Sequence, residues 1–129
     1  MLPSHFISIV EQDESIRLAI ASLLRSIGHR VTSYDSAYEF LISGDIKRAE
    51  CIIVDIQLAD VDGIKLKHDL DRLSSHAPVI MITPCQDGAC RDRAFASGVF
   101  CVLNKPFGAE DLIDCVERAL ATQYGFNAP

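Results

Sequence analysis

A chain of 129 residues, 49% hydrophobic and 23% charged, is long enough for one domain with its own core and is ordinary for a globular protein. Its formal net charge of −6 argues against a nucleic-acid surface on this domain, and no apolar run approaches the ~20 residues of a membrane helix. The opening "MLPSHF" lacks a basic stretch followed by a long apolar one, so no secretory signal is read and a cytoplasmic location is expected.

In chain order, the first predicted strand is 6–10 (FISIV), ending abruptly at Glu11-Gln12-Asp13. A helix follows, marked by Ile16, Ile20, Leu23, Leu24 and Ile27 and closed by Gly28. The second strand, 31–34 (VTSY), is short and more polar than the others, which places it at a sheet edge. Residues 37–42 predict a short helix, and 51–54 (CIIV) a third strand ending at Asp55. Leu66, Leu70 and Leu73 mark a third helix with Gly63 before it. Then come a fourth strand, 78–82 (PVIMI), and a polar, weakly patterned helix over 87–97. The fifth strand is 99–103 (VFCVL), and the fifth helix carries Leu112, Ile113, Val116 and Leu120. Glu110 and Asp111 in its first turn suit the helix dipole.

Strand and helix thus alternate five times. Four of the strands are nearly continuous apolar runs, as expected when both faces are covered. The expected fold is α/β: a five-stranded parallel sheet in the order 2-1-3-4-5, flavodoxin-like, with helices on both faces. Residues 1–122 read as one domain, and the last seven, "QYGFNAP", as a tail or the first residues of a linker to an output domain.

In this topology ligands sit beyond the carboxyl ends of the strands, beside the switch point between strands 1 and 3. Glu11, Gln12 and Asp13 follow strand 1, Asp55 follows strand 3, Thr83 follows strand 4 and Lys105 follows strand 5. An acid cluster, a carboxylate, a hydroxyl and an ammonium therefore converge from four strands. Packing alone does not account for that, because sheet ends otherwise avoid unpaired charge. The set suits phosphoryl transfer to a carboxylate. Asp55 is the candidate nucleophile. A hard divalent cation such as Mg²⁺ would lie between Asp55 and the strand-1 acids. Lys105 would offset phosphoryl charge and Thr83 would hydrogen-bond a phosphoryl oxygen.

With these residues in hand, the chain resembles the receiver domain of a two-component response regulator, of the CheY-like fold, over roughly residues 6–122. Asp55 with "LADVDG" after it resembles the family's phosphoacceptor loop, and Thr83 and "NKPF" its hydroxyl and lysine positions. "SYDSAYEFL" resembles the FixJ-type subgroup, whose members usually carry a C-terminal helix-turn-helix. The resemblance implies a cis Lys105-Pro106 bond and metal ligation by Glu11, Gln12, Asp55 and the backbone carbonyl of Gln57. It also implies a sensor histidine kinase as phosphoryl donor and a homodimer through the helix 4–strand 5–helix 5 surface. The domain would be a self-catalysing acceptor with slow dephosphorylation rather than a turnover enzyme.

Three positions depart from the family pattern. Gln12 stands where a second adjacent acid is usual, which should weaken Mg²⁺ binding unless Asp13 turns inward. Pro84 follows Thr83 where a backbone N–H usually helps hold the phosphoryl group, and proline has none. Val102 stands where the family has a switch aromatic.

Plainer readings stand beside these. Asp13 is a good helix N-cap. Asp60 and Asp62 read as loop residues, Thr83 as the end of a strand, and Lys105 as a solvated lysine beside a turn. His5, His29, His68 and His76 are scattered and form no ligand set. The five cysteines match no zinc pattern and read as reduced thiols. At the level of function the alternative is a pseudo-receiver that signals without phosphorylation, favoured by Gln12, Pro84 and Val102 and opposed by Asp55, Thr83 and Lys105. A small-ligand-binding flavodoxin-like domain is disfavoured by the lack of a Gly-rich loop after strand 1.

Overall fold

The computed structural model describes residues 4–84 and 86–122. Five parallel strands form one sheet: β1 (Phe6–Val10), β2 (Arg30–Tyr34), β3 (Cys51–Asp55), β4 (Val79–Thr83) and β5 (Cys101–Asn104). Their order is β2-β1-β3-β4-β5, the flavodoxin-like order expected, with the polar β2 at an edge. The helices are α1 (Glu14–Ser26), α2 (Ala37–Ile42), α3 (Gly63–Arg72), α4 (Gly88–Ala96) and α5 (Ala109–Thr122). A short 3-10 turn, Asp45–Lys47, leads into β3. Among the described residues, no helix is long and apolar enough to cross a membrane.

Strand side chains alternate between the two faces, and each face carries its own core. Ile7, Ile9, Ile53, Ile80 and Ile82 meet Leu24 of α1 and Leu112 and Val116 of α5 on one side. Phe6, Val10, Ile52, Val54 and Met81 meet Phe40 of α2, Leu66 and Leu70 of α3 and Ala94 of α4 on the other. The weak pattern of the fourth helix has a physical counterpart. Ala94 is the one α4 residue that is fully buried among those described.

Several boundaries differ from the sequence reading. β4 begins at Val79 rather than residue 78, because Pro78 has no N–H for the ladder; its carbonyl accepts from Ile52 N–H at 3.0 Å. At its other end the strand takes in Thr83, paired with Asn104. β5 starts at Cys101, after Gly98 (φ +94°) has turned the chain out of α4. α3 ends at Arg72, so Leu73 becomes its exposed cap rather than a core residue. Gly63 is the first residue of α3, not its predecessor.

Cys101 on β5 and Cys115 on α5 are brought side by side, their Cα atoms 6.6 Å apart, because α5 packs back along the strand that precedes it. Cys51 is a free, buried thiol that burial pushes up to about 12. The predicted tail at 123–129 lies outside the described residues.

Candidate functional site

The register of the sheet brings the four strand ends level with one another. Val10 pairs with Tyr34 and Val54, Asp55 with Ile82, and Thr83 with Asn104. The next residues, Glu11 and Lys105, extend their strands by one bond each. Glu11 N–H donates to the Tyr34 carbonyl at 3.0 Å and Lys105 N–H to the Thr83 carbonyl at 2.8 Å.

Three of the expected site side chains meet here. Lys105 Nζ donates to Asp55 Oδ2 at 2.6 Å and lies 2.8 Å from Glu11 Oε1. Asp55 is 2% exposed and Glu11 fully buried, so the ammonium is held between two carboxylates shielded from water. Asp55 Oδ1 accepts the Gln57 N–H at 2.8 Å, and Glu11 Oε2 the Asp13 N–H at 3.2 Å. Thr83, also fully buried, ends the neighbouring strand.

The electrostatics follow from this packing. Burial and then the adjacent Asp55 carboxyl raise the Glu11 acid above its ordinary range, against the pull of Lys105 and the Asp13 N–H. Burial works against the Lys105 ammonium, yet its contacts with Asp55 and Glu11 prevail and hold its pKa above the usual lysine value.

Gln12 and Asp13 occupy different places. Gln12 is exposed, and its carbonyl accepts from Arg17 Nη1 at 3.3 Å, the same atom that binds the Glu11 carbonyl at 2.9 Å. Asp13 caps α1, its Oδ1 accepting the Ile16 N–H at 3.0 Å. The inward turn that would let Asp13 replace a missing ligand is not the observed conformation. Gln57 is exposed on the loop after β3. Pro84 follows Thr83 without a donor, and Val102 is buried beside Met81 and Ala94. The Lys105-Pro106 bond is cis, as the resemblance implies.

Whether these residues suit a divalent cation is decided by their own hydrogen bonding. Glu11 Oε1 is buried and faces the Lys105 ammonium at 2.8 Å, so it is an oxygen aimed into the site. Among the described residues, no group of three or more His, Cys, Asp and Glu side chains is placed to hold a metal ion. Two carboxylates suffice for Mg²⁺, which keeps much of its water and uses substrate phosphate oxygens. The donors fit such an ion, with Glu11, Asp55 and the Gln57 carbonyl as the available ligands.

The loop between β3 and α3 holds two carboxylates, Asp60 and Asp62, that are loop residues as expected and bind backbone N–H groups. Asp60 accepts the Ala37 and Tyr38 N–H groups of α2 at 3.2 and 2.9 Å, and also the Val61 N–H at 3.1 Å. Burial would raise its pKa, but these N–H donors outweigh it and hold the carboxyl below its ordinary value. Asp62 caps α3 through the Ile64 N–H at 2.7 Å and faces Arg93 of α4 at 3.4 Å. The Asp62 cap was readable from Asp-Gly before an apolar helical pattern. The Asp60 contact was not, since its donors are on another helix.

Known proteins share this sequence pattern and fold. Residues 7–117 match the response regulator receiver domain family. Nodulation protein W of Bradyrhizobium diazoefficiens is 35% identical over 111 residues, covering 86% of this chain and 49% of that protein. The transcriptional regulatory protein FixJ of Azorhizobium caulinodans is 31% identical over 119 residues, covering 92% and 55% respectively. The solved structure of response regulator StyR superimposes with a TM-score of 0.85 at 29% identity, covering 96% of this chain and 62% of that one. The chain spans about half the length of the curated relatives it matches. With 111 of its residues matched in one unbroken stretch, the chain belongs to the family of response regulator receiver domains.

Proposed function

We propose that Asp55 accepts a phosphoryl group from a sensor histidine kinase and that the resulting acyl phosphate biases a protein-interaction surface. The observation that carries this reading is the buried contact of Lys105 Nζ with both Asp55 (2.6 Å) and Glu11 (2.8 Å). An ammonium between two shielded carboxylates offers fixed positive charge where phosphoryl oxygens would develop negative charge. In the transfer, a carboxylate oxygen of Asp55 bonds to phosphorus while the phosphorus–nitrogen bond to the donor histidine breaks, and the imidazole leaves with the electron pair.

This chain's own groups have separate parts. Asp55 supplies the nucleophilic oxygen, and the Gln57 N–H holds the other oxygen in place. Lys105 loses its Asp55 partner on transfer and turns to the phosphoryl oxygens. The Thr83 hydroxyl offers a donor to one of them. Glu11, Asp55 and the Gln57 carbonyl would hold Mg²⁺, which when bound neutralises charge on the transferring group. An apolar groove of about 730 Å³, lined by Ile16, Leu23, Lys105, Phe107 and Leu112, opens between α1 and α5 beside the lysine. It gives a kinase helix direct approach to the site. The surface that responds would be the one formed by α4, β5 and α5, with homodimerisation as its readout, in the cytoplasm. Residues 1–122 would be the receiver and the following residues the path to an output domain.

Pro84 and Val102 favour a second reading, a pseudo-receiver with no phosphoryl chemistry. Incubation with acetyl phosphate and Mg²⁺, followed by intact mass measurement, separates the two. A single phosphoryl adduct that is lost in Asp55→Asn supports the acceptor. No adduct at any Mg²⁺ concentration overturns it.

A further inference from the structure

Two of the scattered histidines meet at the end of the sheet opposite the candidate site. His5, just before β1, and His29, just before β2, are 6% and 8% exposed, with ring centroids 5.6 Å apart. The His5 N–H donates to His29 Nδ1 at 3.2 Å, and the Arg30 N–H donates to the His5 carbonyl at 2.9 Å. The imidazole of His29 therefore stands in for a backbone acceptor and closes the ladder that Phe6 and Arg30 continue.

That bond fixes the state of the ring. An Nδ1 that accepts a hydrogen bond carries no proton, so folded His29 is neutral here. A proton taken from solvent onto Nδ1 removes the acceptor and sets two N–H groups against each other in a buried place. We propose that His29 is an acid-sensitive latch on the β1–β2 pair, closed while its Nδ1 is bare and opened by protonation.

Charged groups face His29 from three other elements. His5 precedes β1, Glu50 precedes β3, and Glu117 lies on α5. Glu50 is engaged elsewhere, by His5 Nδ1 at 2.9 Å and the Phe6 N–H at 3.0 Å. Burial first, then His5, lower the His29 pKa from its ordinary 6.5, against the opposing pull of Glu117 and Glu50. A lowered histidine pKa means that the unfolded chain binds the proton more readily. Stability is then full above 6.5 and falls as pH drops towards the folded-state value.

The test pairs an NMR titration of the His29 ring with denaturant unfolding between about pH 7.5 and 5. The ring should titrate below 6.5 in the folded protein. Over that window the folding equilibrium constant should fall by about tenfold for each pH unit crossed between the two pKa values. His29→Asn, whose side-chain oxygen accepts without protonating, should lose most of this slope, whereas His5→Gln, which keeps the backbone donor, should retain most of it. A His29 ring that titrates at or above 6.5, or a His29→Asn protein with the full slope, overturns the proposal. The ring titration of the native chain decides the matter even if His29→Asn does not fold.

Discussion

Gly63 lies against the backbone of Asp55. A Cβ built on Gly63 would stand 2.6 Å from the Asp55 carbonyl oxygen and 2.8 Å from the Ile56 Cα. Both neighbours are backbone, so neither swings aside. The Gly63 N–H also donates to the Ile56 carbonyl at 2.8 Å, which draws the first turn of α3 onto the end of β3. Gly63→Ala should therefore cost about 1–3 kcal/mol by overpacking. It should also displace the Asp55 carboxyl and slow acetyl phosphate labelling. Chemical denaturation and labelling kinetics on the same protein would show the two losses together. Normal labelling in a destabilised protein would mean that the close approach serves folding alone.

Glu11→Gln separates stability from function. The Glu11 pKa is raised by burial and by Asp55, so the charge is disfavoured in the fold. For a raised acid, stability is greatest below its ordinary 4.5 and declines as pH rises through the folded-state value. The neutral amide should thus be more stable than wild type at neutral pH and show less decline between acid and neutral pH. Mg²⁺ affinity should fall by about tenfold or more. Thermal melts across pH and a metal titration check both signs.

Asp60→Ala tests whether the loop after Asp55 holds α2. Its carboxylate caps that helix from outside, and removing a capping oxygen costs about 0.5–2 kcal/mol. Because the Asp60 pKa is depressed, its contribution is present above the ordinary 3.8 and is lost as pH falls through the lower folded-state value. The gap in melting temperature between wild type and variant should close in that acid range and stay open at neutral pH.

Pro84→Ala restores a backbone N–H beside Thr83. One such donor in an enzyme is worth at most about 2.7–4 kcal/mol of transition-state stabilisation. With Lys105 and Thr83 already at the site, a single added donor should realise only part of that, a rise of roughly tenfold in labelling rate. Stopped labelling reactions at fixed Mg²⁺ would read the change. An unaltered rate would show that the proline is neutral towards phosphoryl chemistry.

The sheet was legible because buried parallel strands are continuous apolar runs, and FISIV, CIIV and PVIMI are hard to read otherwise. The site was legible for the opposite reason, that charges at such strand ends need a purpose. Glu11, Asp55 and Lys105 met as their strand positions required. Side-chain direction at the turn was harder. Gln12 and Asp13 follow Glu11 directly, yet one is exposed and the other caps α1. What stayed hidden were pairs made only by tertiary packing. Asp60 and Ala37 are 23 residues apart, His5 and His29 are 24, and Cys101 and Cys115 are 14. No periodicity links such positions, because each pair joins two elements rather than marking one.

The Lys105 contacts also bear on how the site resists charge. The resting cluster carries its own counterion, since one ammonium already answers two carboxylates. A divalent ion entering the site would therefore compete with a tethered cation instead of filling a bare negative hollow. Its affinity would be an exchange constant, the difference between two ways of neutralising the same pair of acids. Shortening the lysine should then tighten cation binding in the resting protein, even as it removes the charge that an incoming phosphoryl group would meet.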